Sequence, residues 1–512
     1  MSARFLKALR DAVRRGIATF RSLFAPQGQE PKSGTKAGAV PAEEPPTPGG
    51  PTPPPAKEHL PAILAPRRAV RLWNIGLDFG TAFTKSIVRN LATDEAFIVP
   101  LGSPPYFFPS EVLCGNGSFC ICGDSMSGAQ ARTIRHLKMV LGDTAREQPN
   151  RAWLAEFARE TDSVNDGELK ERAEHFTAYF LARVIQEAKA FILRQTPDFD
   201  EAAGDRWMVN MAVPVAHAQD NTVAHAFERC LRRAWLLSRE PNLVRMTSQE
   251  IETALRNRED DGTDMGCYIY PEVSANVQSY IKSRAGADGL YLFTDVGAGT
   301  VDLSVFIYYV HQTNDRPISY VSAGVVPLGS SQIEIRTAER LIRDQPGSGL
   351  VELREQIRLV KEGQRNGEPN LLAAMRAAEQ AIEDQLFEHA APVLQNARSR
   401  IRGSQWRTLK VLFGGGGADA LLYRRAVKRW FEQFSFFTPE QTPIPLPPDL
   451  RWPPSIPEAN RAQLFRRFSV AYGLSFDRAN LEDHRFPSDV GPLPRPAEPP
   501  PERPQAPTMD EC

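Results

Sequence analysis

Apolar and polar positions divide this chain into zones with different periods. In residues 1–25, Phe5, Leu6, Leu9, Val13, Ile17 and Phe20 recur at helical spacing and predict one apolar stripe on a helix. Residues 26–68 lose that periodicity. Runs such as PAEEPPTPGGPTPPPA cannot bury enough apolar surface to fold, and they predict an extended, semi-stiff, disordered linker. From about 69 to 478, short apolar runs bounded by Asp and Gly predict buried strands, alternating with amphipathic segments that predict helices. The stretch 331–405 reads as mostly helical, through IRTAERLIRD, ELREQIRLVKEG and AAMRAAEQAIEDQLFEHAAPVLQNARSRI. Residues 479–512 turn proline-rich again and predict a disordered tail.

Charge changes the picture at one place only. Lys and Arg total 61 against 62 Asp and Glu, so no overall pull toward nucleic acid is expected. In residues 1–25, however, Arg4, Lys7, Arg10, Arg14, Arg15 and Arg21 face a single acid, Asp11. A basic amphipathic helix of this kind suits an anionic membrane surface. Docking on a protein partner or on the protein's own core is the next reading, and use as a transit peptide, in a eukaryotic source, the third. The cysteines Cys114, Cys120, Cys122, Cys230, Cys267 and Cys512 fit no zinc spacing and read as reduced thiols. No apolar run approaches the roughly 20 residues a membrane-spanning helix needs, and no secretory leader is visible. The expected location is cytoplasmic, with peripheral membrane attachment through residues 1–25 as a possibility.

Three motifs carry chemistry. In RLWNIGLDFGTAFTKSIVRN an apolar strand runs into Asp78, then Gly80 and Thr81, then a second strand. The glycine lets backbone N–H groups approach a phosphate, and an acid at such a turn makes sense as a holder of hydrated Mg²⁺. LYLFTDVGAGTVDLSVFIYYV repeats the design with Asp295, Gly297, Gly299, Thr300 and Asp302. One such hairpin is a common turn; two in one chain point to two related lobes closing on one phosphate chain. In LKVLFGGGGADALLY a strand ends in Gly414, Gly415, Gly416 and Gly417, leaving no Cβ to block a flat ring or a phosphate.

The ordered set DFGTAFTK, DVGAGTVDLS and FGGGG resembles the two phosphate motifs and the adenosine motif of the actin-like ATPase superfamily. FFPSEVLCGNGSFCICGD, HLKMVLGD, MAVPVAH, EVSANVQSY and RFSVAYGLSF are similar, in order, to segments of its DnaK-type heat-shock chaperone branch, over roughly 73–476. The resemblance implies an α/β, two-lobed, actin-like (ribonuclease H-like) fold around a central nucleotide cleft. Each lobe would hold a mixed five-stranded sheet. Lobe I would cover 69–285 with an inserted subdomain, and lobe II 286–478 with a helical subdomain at 331–405.

It also implies ATP or ADP and Mg²⁺ as ligands. Gly80, Thr81, Gly297, Gly299 and Thr300 would cradle phosphates, and Asp78, Asp295 and Asp302 would hold Mg²⁺ through water. Lys138 would neutralise the transferred phosphate, and Glu272 would help order the attacking water. The catalytic set is thus Lys138, Glu272, Asp295 and Asp302. Gly414, Gly415 and Gly416, with Lys361 and Glu362 of REQIRLVKEG, would hold the adenosine end. Lys85 stands where actins carry a phosphate-binding lysine, and would either join the phosphates or point away along its strand. Ala418 falls at the family's base-packing arginine, and Arg467 at an acidic position of the last helix.

The family's peptide-binding domain has no counterpart after Phe476. The implied function is a Mg²⁺-dependent ATPase acting as a chaperone-like conformational switch toward an unknown protein partner. The alternatives are a non-hydrolysing nucleotide-binding scaffold and an actin-like filament former.

Overall fold

The computed structural model describes residues 69–488 apart from 116, 123, 125–131, 148–150, 258–265, 284–285, 309–316, 345–349, 362–364, 402, 435–438 and 482. The amphipathic segment 1–25 and the linker 26–68 therefore lie outside the described residues. Within them the protein is mixed α/β, built on two large sheets and a small one.

The first sheet starts from a hairpin of β1 (Leu72–Phe79) and β2 (Phe83–Asn90), extended by β3 (Glu95–Ile98) and β4 (Phe108–Pro109). β5 (Val112–Gly115), β6 (Ser118–Cys120) and β7 (Arg132–Ile134) make the small separate sheet. The chain then returns through β8 (Arg206–Val213), parallel to β1, and β9 (Cys267–Pro271), parallel to β8. The second sheet repeats the opening: β10 (Gly289–Val296) and β11 (Val301–Tyr308) form an antiparallel hairpin, continued by β12 (Ile318–Val326). β13 (Lys410–Gly414) lies parallel to β10 on its other side, with β14 (Glu440–Gln441) beyond it. β1, β10 and β11 are buried almost throughout, because helices cover both faces; this is why they read as predominantly apolar runs, with Asn74, Asp302 and Ser304 among the buried polar exceptions.

Three expectations from the sequence need correction. The sheets have seven and six strands, not five each. The boundary at 286–478 does not follow them either: β15 (Leu450–Arg451) pairs with β3, and helix Glu458–Leu474 packs across β1, β2 and β8. The tail does not begin at 479, because β16 (His484–Arg485) pairs with β12 and Phe486 stacks on Tyr320 at 6.2 Å.

Buried polar groups explain why 449–476 joins the first sheet. The Asn74 amide donates to Leu474 O (3.1 Å) and Phe476 O (2.6 Å), and Asn210 donates to the same two carbonyls at 2.9 Å. These amides satisfy carbonyls that the end of the last helix leaves open. Arg89, fully buried on β2, pairs with Asp449 at 2.7 Å and lies 3.8 Å from the Phe476 ring centroid. Small residues allow the close fit: a Cβ on Gly76 would lie 2.2 Å from Ala471 O.

The segment 331–405 is helical as its pattern predicts, in Ser331–Asp344, Leu350–Lys361 and Pro369–Arg400. Ile382, Leu386, Ala390, Leu394 and Ala397 of the last of these share one buried cluster with β10 and β11.

Candidate functional site

Each hairpin ends in an acid at the same topological place. Asp78 closes β1, in register with Lys85 on β2, and the two form an ion pair. Asp295 closes β10, in register with Asp302 on β11 and, on its other side, with Gly414 of β13. A lysine in one hairpin thus stands where the other carries a second acid. Lys85 turns to its own hairpin's acid, beside Gly80, and so does not point away along its strand.

The turns themselves meet. A Cβ on Gly299 would lie 3.0 Å from Thr81 Cγ2, so the second turn rests on the first. The turns therefore pack together, where an open cleft was expected. Asp78, Asp295 and Asp302 are 3%, 4% and 5% exposed, and Thr300 is buried beside them. Gly80 is required within its turn, because a Cβ there would lie 2.4 Å from Phe83 O. Gly297 is held by the backbone: it donates to Thr300 O at 2.9 Å and accepts from Ser330 N at 2.9 Å.

Two further elements complete the cluster. Lys138 lies in the first turn of helix Leu137–Thr144, and Glu272 opens the short helix Glu272–Asn276 after β9. Their side chains, both largely buried, pair at 2.9 Å. Burial opposes the ammonium charge, but Glu272, Asp78 and Asp302 outweigh it and hold Lys138 above its usual value. The acids respond in the opposite sense. Burial, then Glu272, Asp302 and Asp78, raises Asp295 well above the carboxylate range. Burial and Glu272 push Asp302 up to about 7, against the pull of Lys138.

Glycine and amide neighbours hold Asp295. Gly415, at φ +81°, brings its backbone so close that a Cβ would lie 2.3 Å from Asp295 Oδ1. Asn276 Nδ2 donates to Asp295 Oδ2 at 3.4 Å, and Asn276 Oδ1 accepts from Ser469 at 2.5 Å. Gly414 is packed against that same Asn276 amide. Asp302 accepts from Thr300 Oγ1 at 3.3 Å on one oxygen, while its buried Oδ1 has no hydrogen-bond partner.

The adenosine-side residues predicted from sequence divide. Gly416 faces away from the acids toward Arg467. Lys361 pairs with Glu334 and reaches Ser330 O at 3.4 Å, beside the second turn. Glu362 lies outside the described residues. Ala418 is buried. Sequence reasoning missed Asn276, Ser469 and Glu334. Asn276, a lone amide between Ala275 and Val277, was the one signal available.

Were all four acids (Asp78, Glu272, Asp295, Asp302) ionised against the two lysines (Lys85, Lys138), two excess negative charges would be buried in this cluster, and the raised Asp295 and Asp302 express that crowding. A buried charge excess is costly unless compensated. Protonation of the raised acids relieves that cost, and a divalent cation would do the same, with the unpartnered Asp302 Oδ1 as an acceptor for its bound water. Among the described residues, no group of three or more His, Cys, Asp or Glu stands close enough to hold a metal ion directly.

His217 lies next to this cluster, stacked on Phe227 with centroids 6.0 Å apart, and neither ring nitrogen has a partner. Burial, then Arg146 and Lys138, pushes it down to about 3, so it is neutral in the folded state. In the unfolded chain it protonates near 6.5. Stability from this residue is thus complete above pH 6.5 and falls as pH drops toward 3. His217→Phe is expected to be about 2 kcal/mol less sensitive than the wild type to a change from pH 7.5 to 5. Urea unfolding at the two pH values checks this, and equal losses in both proteins would refute it.

Compared with known proteins, the chain matches no family model and no curated protein sequence. Among the described residues, no helix is long and apolar enough to cross a membrane.

Proposed function

We propose that this chain has the two-lobed actin-like ATPase fold, binds ATP with Mg²⁺, and acts as a nucleotide-driven switch of the heat-shock-chaperone type. The single observation carrying this reading is the meeting of two acid-bearing hairpins, turn against turn, over a buried cluster with surplus negative charge. A plain pair of structural hairpins has no reason to concentrate four carboxylates around two buried lysines.

On this reading the turns separate to admit phosphates and close over them, so the ligand state sets the distance between the two sheets. Bound magnesium supplies positive charge to the phosphate oxygens and to the crowded acids. Gly80 and Gly297 spend their own N–H groups on Asp78 O and Thr300 O, so the turn N–H groups offered to phosphate oxygens are those at Thr81 and at Ala298–Gly299. Lys138, kept protonated by its neighbours, contributes a fixed positive charge. Glu272, tied to Lys138, is positioned to accept a hydrogen bond from an attacking water. Lys361 and the glycine run border the same site. Residues 1–25 would carry the switch to an anionic membrane surface or a protein partner.

Calorimetry and phosphate release test this on the full chain. Mg²⁺·ATP is expected to bind and to raise unfolding free energy by about 2.7 kcal/mol at a hundredfold excess over Kd. Asp295→Ala is expected to lose both binding and Mg²⁺-dependent phosphate release. Equal release from the two proteins would remove the enzymatic reading. Binding without release would leave the scaffold.

A further inference from the structure

Consecutive glycines of the loop after β13 face different surroundings. Gly415 abuts Asp295, whereas a Cβ on Gly416 would lie 3.1 Å from Arg467 Nε. Their Cα atoms are about 3.8 Å apart, as in any trans peptide. Whatever lies against Gly416 is therefore next to the phosphate cradle.

What lies there is a groove of about 370 Å³ between this loop and helix Glu458–Leu474. That is within the range of small-molecule sites, roughly 300–1,000 Å³. Pro105 and Leu464 give it apolar walls, while Asp419, Asn460, Gln463 and Arg467 give it polar groups. The Arg467 guanidinium carbon lies 3.6 Å from the Phe107 ring centroid and 5.9 Å from that of Phe83, which follows the first turn. A guanidinium set over an aromatic ring at the groove wall offers both cation–π contact and N–H donors to another planar ring. Amides both donate and accept, as the edge of a nucleobase requires.

The other side of the glycine run is packed. Gly417 donates to Val296 O at 2.9 Å, and a Cβ on it would lie 2.5 Å from Val296 Cγ1 and 3.0 Å from Ser330 Cβ. Ala418 is 1% exposed, and Lys361 is engaged by Glu334. Among the described residues, Val296, Ser330 and buried Ala418 close this side of the loop.

The geometry points to the groove at Gly416 and Arg467 as the seat of the nucleoside end of the nucleotide. This rests on the nucleotide reading above. Arg467 is the stacking partner, and Asn460 and Gln463 read the base edge. The seat is thus built from the last helix, on the first sheet's side, and not from Lys361 on the second.

Calorimetry with two probes tests it, Mg²⁺·ATP and Mg²⁺·tripolyphosphate, which has the phosphates without the nucleoside. Arg467→Ala is expected to weaken ATP about tenfold or more while leaving tripolyphosphate affinity unchanged. Gln463→Ala, at an exposed position where folding is not at stake, is expected to weaken ATP severalfold with the same selectivity. If both variants bind ATP as the wild type does while Asp295→Ala loses both probes, the groove is wrong and the nucleotide site stands. Selective loss of ATP affinity in Lys361→Ala instead would overturn the groove as well. Wild-type protein that binds neither probe would sink the nucleotide reading and the groove together.

Discussion

Asp302→Asn is expected to make the nucleotide-free protein more stable by between about 2 and 4 kcal/mol at pH 8, and to abolish its response to Mg²⁺·ATP. Asp302 sits at the centre of the charge excess, buried and raised to about 7 from the usual 3.8. That distance corresponds to about 4 kcal/mol of penalty for the ionised form in the folded state. An amide of the same shape avoids the penalty and can still accept from Thr300.

The sign fixes a pH window. A carboxyl raised in the folded state costs nothing below its unfolded value, and its full penalty is present only above its folded one. The advantage of the variant should therefore be absent near pH 4, grow through pH 5 and 6, and level off above pH 7. Urea unfolding across that range reads it directly. The variant should also lose Mg²⁺-dependent phosphate release at least a hundredfold, since the group that crowds the cluster is the one proposed to hold the cation's water. A variant less stable than the wild type at pH 8 would mean that the acids are compensated within the protein, and the need for a cation would disappear.

Gly473→Ala is expected to lose about 4 kcal/mol or more of stability and to disable the site from a distance. A Cβ at this position would lie 1.8 Å from Ala275 O and 2.6 Å from Ala275 C. Both are backbone atoms, so no rotamer change relieves the overlap, and helix Glu458–Leu474 must move off helix Glu272–Asn276. The helix it is pushed away from carries Glu272 and Asn276, partners of Lys138 and Asp295. Stability and nucleotide affinity should therefore fall together. Gly403→Ala, with nothing within 4 Å of its Cβ position, is the control and should stay within about 0.5 kcal/mol. A Gly473→Ala protein that unfolds like the wild type would show that the two helices do not meet as described.

Local features were legible because local chemistry specifies them. The runs before Asp78 and Asp295 are mostly apolar stretches ending in an acid and glycine, and each is a buried strand feeding a tight turn. The helical periodicity of 331–400 likewise survived folding. Lys361 was singled out by resemblance, but its Glu334 partner was not, since nothing in a helical repeat says which of two acids will lie across a helix pair.

The membership of 449–476 in the first sheet was misread for a related reason. Chain order favoured the second sheet, while buried Arg89, Asn74 and Asn210, hundreds of positions away, bind it to the first. The tail was misread at 479–488 because composition is an average, and two residues of edge pairing with β12 sufficed to hold His484–Arg485.

Strand, turn and acid are therefore written into consecutive residues, where hydrophobic burial and backbone sterics act over a few positions. The meeting of the two turns, the packed side of the glycine run and the groove beside Arg467 depend on which distant surfaces come together. Those outcomes turn on a missing Cβ here and a buried amide there, and their energies exist only once the chain has closed on itself.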